Sequence, residues 1–297
     1  MRLSVATTHF TRQLAANGCS LHTQKAYVRD LRAFSHWLGR DAALSAITPD
    51  HLARFLISDA VLCTPDGLPR KPITINRTKS ALRSFFSFCV ESGWIKENPA
   101  RLIRSAPAAA KEPSTLTEAE IRSLRTVVAS SISPFASRDR LILELLLGTG
   151  IRLGSLVGLN VGDIDLQTGT LHIRAKGGAQ ERVFLNPGLC AMLDACLRES
   201  APQANTGANV PLIRSKSGKR LGGRQIQLNF ARWLKQAGIT RPFSVHSCRH
   251  TFATRLYQKT GDLYLVQRAL GHRQITTTEI YARVGDDALR HAVNCAR

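Results

Sequence analysis

The chain has 297 residues, 43% of them hydrophobic, which is enough for two domains that each bury a core. No apolar run approaches the roughly 20 residues that cross a bilayer, and the polar N-terminus lacks the apolar core of a secretory signal, so a cytoplasmic protein is expected. The net charge of +20 is shared by both halves, with 16 basic and 8 acidic residues over 1–112 and 25 and 13 over 113–297, the balance expected of a protein that grips a polyanion and releases its counterions.

In chain order, Tyr27, Leu31, Phe34 and Leu38 recur at spacings of three and four and predict a helix with one apolar stripe. Thr48-Pro49-Asp50 predicts another, with Thr48 as cap and Pro49 at the first helical position. Ile75, Leu82, Phe85, Phe86 and Cys89 mark a third helix, ended by Gly93. Arg77, Lys79 and Arg83 fall on its polar positions. They are candidate DNA contacts, with a solvated face as the alternative. Residues 1–104 thus read as one helical domain, and residues 105–113, rich in Ala and Pro, as a linker.

The second domain, residues 114–297, opens with the capping box Thr117-Glu-Ala-Glu120. A helix through Leu141–Leu147 stops at Gly148-Thr149-Gly150. Strands at Thr170–Ala175 and Glu181–Leu185 flank a glycine-rich tip carrying Lys176, a predicted β-hairpin. Helices follow at about 188–199, 222–237, 246–259, 262–270 and 276–284, and the last dozen residues suit one more short helix. The predicted class is mainly α with a small antiparallel β-sheet.

Several chemistries are not supported by their motifs. Gly148-x-Gly150 lacks the third glycine of a dinucleotide loop, Leu153 standing in its place, and no phosphate-binding G-x-x-x-x-G-K-[ST] run occurs. The seven cysteines form no C-x-x-C pair, so they read as small core residues and not as a zinc site. Asp163 and Asp165 sit where turn and strand-edge residues belong, and no metal site is expected.

Cleaving a phosphodiester without a metal requires fixed cations on the equatorial oxygens, a proton for the departing oxygen and an activated nucleophile. A tyrosine hydroxyl, with a pKa of about 10, becomes a nucleophile only where its neighbours favour the ionised form. The second domain offers a residue for each role. Arg152 lies at the glycine-marked break Thr149-Gly-Ile-Arg152, and Lys176 at the hairpin tip. His246-Ser-Cys-Arg249-His250 places His246 and Arg249 on one face of a helix start. His272 follows Leu270-Gly271, and Tyr281 lies nine residues further on. Each residue alone has a plainer reading as a cap, a turn lysine or a packed tyrosine; the ordered set does not.

This set resembles the motifs of the tyrosine recombinases, the family of phage integrases and Xer-type recombinases, over nearly the whole chain. The resemblance implies a helical, SAM-like core-binding domain that clamps DNA, joined to a catalytic domain of the DNA breaking-rejoining fold. It implies that Arg152 and Arg249 hold the scissile phosphate and that Lys176 protonates the leaving 5′ oxygen. His246 and His272 complete the phosphate site, with His246 the proton acceptor, and Tyr281 forms a 3′-phosphotyrosyl link. Strand exchange would then need neither ATP nor another cofactor, and would serve integration, excision, transposition or dimer resolution. The implied partners are double-stranded DNA and three further protomers of a synaptic tetramer, or a second recombinase, with 286–297 as the exchanged segment. His250 is assigned a structural role.

The chain departs from the family pattern at Ser155, where most relatives carry an acidic residue three positions after the first arginine. A looser Arg152 is the expected result, and Ser155→Glu is expected to raise the cleavage rate. Ser247-Cys248 also replaces the common Asp-Leu. A DNA-binding protein without chemistry and a monomeric type IB topoisomerase are the competing functions. The full set of site residues opposes the first, and the separate basic helical domain opposes the second.

Overall fold

A computed structural model describes residues 1–39, 41–106, 114–174, 180–200, 208–271 and Thr278. The chain falls into two compact units, Met1–Ala110 and Lys111–Arg297. Among the described residues no helix is long and apolar enough to cross a membrane.

The first unit is helical: α1 Leu3–Ala16, α2 Leu21–Trp37, α3 Pro49–Leu56, the single turn α4 Asp59–Leu62, and α5 Pro72–Glu91. Helix α1 was not among the expected elements. Its buried residues Leu3, Ala6, Phe10 and Leu14 follow a helical period, but threonines and other polar residues fill the spaces between them and hide the stripe. Helix α3 begins as the sequence predicts, with the Thr48 side chain accepting from the His51 amide and Pro49 in the first turn. The core gathers Leu31, Phe34, Phe55, Leu82, Phe85, Phe86 and Cys89. Burial pushes the Cys89 thiol up to about 12, so it stays protonated and acts as packing.

The second unit contains α6 Glu118–Ala129, α7 Ala136–Thr149, α8 Leu153–Gly158, then β1 Ile164–Asp165, β2 Thr170–Arg174 and β3 Gln180–Phe184, followed by α9 Pro187–Ser200, α10 Gly223–Gln236, α11 Val245–Thr260 and α12 Leu263–Leu270. The strands form an antiparallel sheet in the order β1-β2-β3, with Thr170 opposite Phe184 and Arg174 opposite Gln180. The hairpin is as predicted, while β1 was not anticipated: two residues are too few to show alternation. Asp163 and Asp165 accept backbone N–H groups from Asn160 and from Gln167 and Thr168, the turn role expected of them.

Helix α7 is the centre of this unit. Leu141, Ile142, Leu143, Leu145, Leu146 and Leu147 are all buried, and Glu144 between them is paired with Arg125. Its C-terminal end holds the break from which Arg152 emerges.

Candidate active site

Helix α7 stops because Gly150 adopts the left-handed conformation (φ 62°, ψ 21°) that closes helices at low steric cost only for glycine. A β-carbon there would also lie 2.6 Å from the Phe252 ring. Ile151, buried, plugs the break. Arg152 follows in extended conformation (φ −68°, ψ 142°) as the N-cap of α8, so its side chain leaves the chain between two helices. Its guanidinium donates through Nη2 to the Gly271 carbonyl at 3.4 Å and lies 3.7 Å from the Glu181 carboxylate.

The second arginine comes from α11. Ser244 and Ser247 form the capping box at the start of that helix, which gives Ser247 a role, and Cys248 is fully buried beside it in the core. Arg249 is one of the few buried charged residues. It donates through Nη1 to the Gly150 carbonyl at 2.8 Å and through Nη2 to the Leu270 carbonyl. Helix α12 ends at Gly271, again left-handed (φ 60°, ψ 42°). Both arginines therefore sit against helix C-terminal carbonyls, whose partial negative charge suits guanidinium groups. Arg249 joins the ends of α7 and α12, and the two guanidinium groups reach successive carbonyls, those of Leu270 and Gly271.

His246 lies on the first turn of α11 and is exposed. Partial desolvation on its inner side, then the charges of Arg249 and Arg152, hold its pKa below the usual 6.5. It is therefore neutral near pH 7 and able to accept a proton. His250 meets the His246 ring edge to face, with centroids 4.9 Å apart. Burial, then His246 and Arg249, lower its pKa to about 4. A cavity of about 440 Å³ opens beside His246, lined by Ile151, Leu153, Arg224, Phe230 and Phe243 among others.

The described residues thus place Arg152, His246 and Arg249 in one cluster. Lys176, His272 and Tyr281 lie outside the described residues, as do the expected 276–284 helix and the 286–297 segment. Lys176 belongs to the stretch that joins β2 to β3, and His272 follows Gly271 directly in the chain. Among the described residues no group of three or more His, Cys, Asp or Glu is arranged to hold a metal.

In the first unit, Arg77 donates two hydrogen bonds to the buried Asp30 carboxylate at 2.9 and 2.8 Å, and that pairing raises its pKa. Arg83 donates to the Ile103 carbonyl and to the Ser80 and Ser105 hydroxyls. Lys79 lines a groove with Pro49, Ile75 and Leu102. Two of the three candidate DNA contacts are thus engaged within their own unit. Two residues beside the cluster, Glu181 and Arg224, were not singled out from the sequence. Nothing in a local motif marks them, because each is brought there by tertiary structure.

Comparison with known proteins follows the same division of the chain. Residues 114–287 match the phage integrase family, and residues 8–93 match the phage integrase N-terminal SAM-like domain. The chain is 31% identical over 283 residues to tyrosine recombinase XerC of Salmonella typhi, covering 88% of this chain and 93% of that relative. It is similar to XerH site-specific recombinase bound to palindromic difH substrate in a post-cleavage complex, with TM-score 0.76, 25% identity, and 95% and 84% of the two chains covered. It is also similar to a lambda integrase tetramer bound to a Holliday junction, with TM-score 0.70, 25% identity, and 93% and 79% covered.

Proposed function

Since the chain belongs to the phage integrase family and is a site-specific DNA recombinase, we propose that it cleaves and rejoins duplex DNA through Tyr281, using Arg152 and Arg249 to hold the scissile phosphate. The observation that carries this reading is the convergence of the two arginines on the Leu270 and Gly271 carbonyls, immediately before His272 in the chain. Two positively charged guanidinium groups, each a fork of N–H donors, suit the charge and geometry of a pentacoordinate phosphate.

In the proposed reaction the Tyr281 hydroxyl oxygen attacks phosphorus, and neutral His246 takes its proton. The P–O5′ bond breaks as Lys176 protonates the departing oxygen, leaving a 3′-phosphotyrosyl link and a free 5′ hydroxyl. His272 contributes a further contact to the phosphate. One phosphoester replaces another, so attack by a new 5′ hydroxyl reverses the step without ATP. The substrate is double-stranded DNA, and the basic surplus of both halves supports that reading.

The test is a nicked duplex carrying the recombination site, whose small 5′ fragment diffuses away after cleavage and traps the intermediate. Wild type is expected to give a covalent protein–DNA complex in EDTA, and Tyr281→Phe none. A complex that requires Mg²⁺ would overturn the mechanism.

The working assembly is proposed to be a tetramer on two synapsed sites, of one recombinase or two, with 286–297 docking on a neighbouring protomer. Leu289 and Val293, four apart, give that segment an apolar contact. Truncation after Val284 should abolish recombination between two sites while sparing cleavage at one. Unchanged recombination would refute the docking role.

A further inference from the structure

The departure at Ser155 leaves Arg152 without the carboxylate that the family resemblance implies on α8. Ser155 is half-buried and uncharged, and among the described residues its hydroxyl makes no hydrogen bond. The carboxylate beside Arg152 comes instead from the sheet. Glu181 is the second residue of β3, and the alternation of that strand turns it to the same side as the buried Val183. Its partner across the ladder is Ile173, also buried. A carboxylate on the apolar face of a sheet is costly unless a cation meets it. Arg152 does, with Nη1 3.7 Å from Oε2 and the two side chains 36% and 27% exposed.

A third group fixes the pair. A β-carbon at Gly271 would lie only 2.5 to 2.8 Å from the Glu181 carboxylate atoms. The carboxylate is thus packed against the bare Cα of Gly271, the residue whose carbonyl accepts from Arg152. Glu181, Arg152 and Gly271 form one closed contact that joins the hairpin to the end of α12.

We infer that Glu181 is the positioning residue for Arg152, supplying from the hairpin the negative charge that Ser155 does not supply from α8. It touches no DNA in this role; it acts by holding the guanidinium in the orientation that meets the phosphate. Because β3 follows the stretch bearing Lys176, the same contact ties the strand of the proposed acid to the arginine of the proposed phosphate site. The inference rests on the assignment of Arg152 to the scissile phosphate.

The experiment is single-turnover trapping on the nicked duplex at saturating DNA, with DNA affinity and thermal midpoint measured alongside, for wild type, Glu181→Gln, Ser155→Glu and the double variant. Glu181→Gln is expected to slow cleavage about 10- to 100-fold, the usual effect of losing an outer carboxylate that orients a site, with affinity within about threefold. In that background Ser155→Glu should restore most of the lost rate, because a carboxylate again faces Arg152. In wild type Glu181 already serves, so Ser155→Glu should change the rate by less than about threefold, in place of the rise expected from the sequence alone. Cleavage by Glu181→Gln within threefold of wild type would overturn the inference. So would a slow Glu181→Gln that Ser155→Glu leaves unrescued, since a purely structural loss is not repaired from α8. Failure of wild type itself to trap DNA would instead refute the underlying assignment.

Discussion

Arg249 shows how much of a site one side chain can organise. Its guanidinium accounts for two helix-end carbonyls that would otherwise be buried acceptors. The histidines of the same helix carry a measurable consequence. His246 and His250 are both harder to protonate in the folded chain than in an unfolded one. Acid therefore draws the protein toward the unfolded state: the contribution is intact above about pH 6.5 and is lost as pH falls toward 4. Urea midpoints measured from pH 7.5 to 4.5 should decline over this window, and His250→Asn should flatten the decline. An unchanged slope would show that His250 is not the group responsible. The placing of His246 and Arg249 on one helix turn was legible in the sequence because their spacing is local. Glu181 was not, since its relation to Arg152 exists only once β3 packs beside the α7–α8 break. Arg77 teaches the same lesson in the first unit: its place on a polar stripe gave no sign of Asp30, a buried carboxylate on another helix.

Among the elements, the break between α7 and α8 does the most to place the site. Leu141–Leu147 anchor α7 in the core, Gly150 turns the chain, and Arg152 emerges one residue after the buried Ile151. Gly150→Ala would force a side chain into a left-handed backbone and against Phe252, at a cost of about 1–3 kcal/mol. The expected result is a lower thermal midpoint together with slower single-turnover cleavage, as both Arg152 and the carbonyl that Arg249 holds are displaced. Full cleavage activity at reduced stability would show that the turn does not set the arginines. This break was readable in advance because glycine marks it. The Thr48 cap and the Thr117 capping box were readable because each is a local motif, and both are present; that His51 completes a box at Thr48 was not anticipated. Helix α1 escaped because its apolar stripe is narrow and interleaved with polar residues, and β1 because it pairs through only two residues.

At the scale of the molecule, the two-part organisation and the class, mainly α with a small antiparallel sheet, followed from the positions of helices, linker and hairpin. The surplus of positive charge in both halves agrees with a DNA substrate, and predicts affinity that falls steeply with salt. What charge does not convey is which cations face DNA and which, like Arg77 or Arg241 on Glu120, are occupied within the fold. The central claim is narrower than DNA binding: one tyrosine hydroxyl becomes esterified to a 3′-phosphate. The chain has four tyrosines, Tyr27, Tyr257, Tyr264 and Tyr281, and Tyr264 is well exposed, so identity must be decided chemically. Protease digestion of the trapped complex, followed by mass spectrometry of the nucleotide-bearing peptide, decides it. The account predicts a single adduct on Tyr281 with the released strand ending in a 5′ hydroxyl. An adduct on another residue, or a tyrosine joined to a 5′-phosphate, would contradict it.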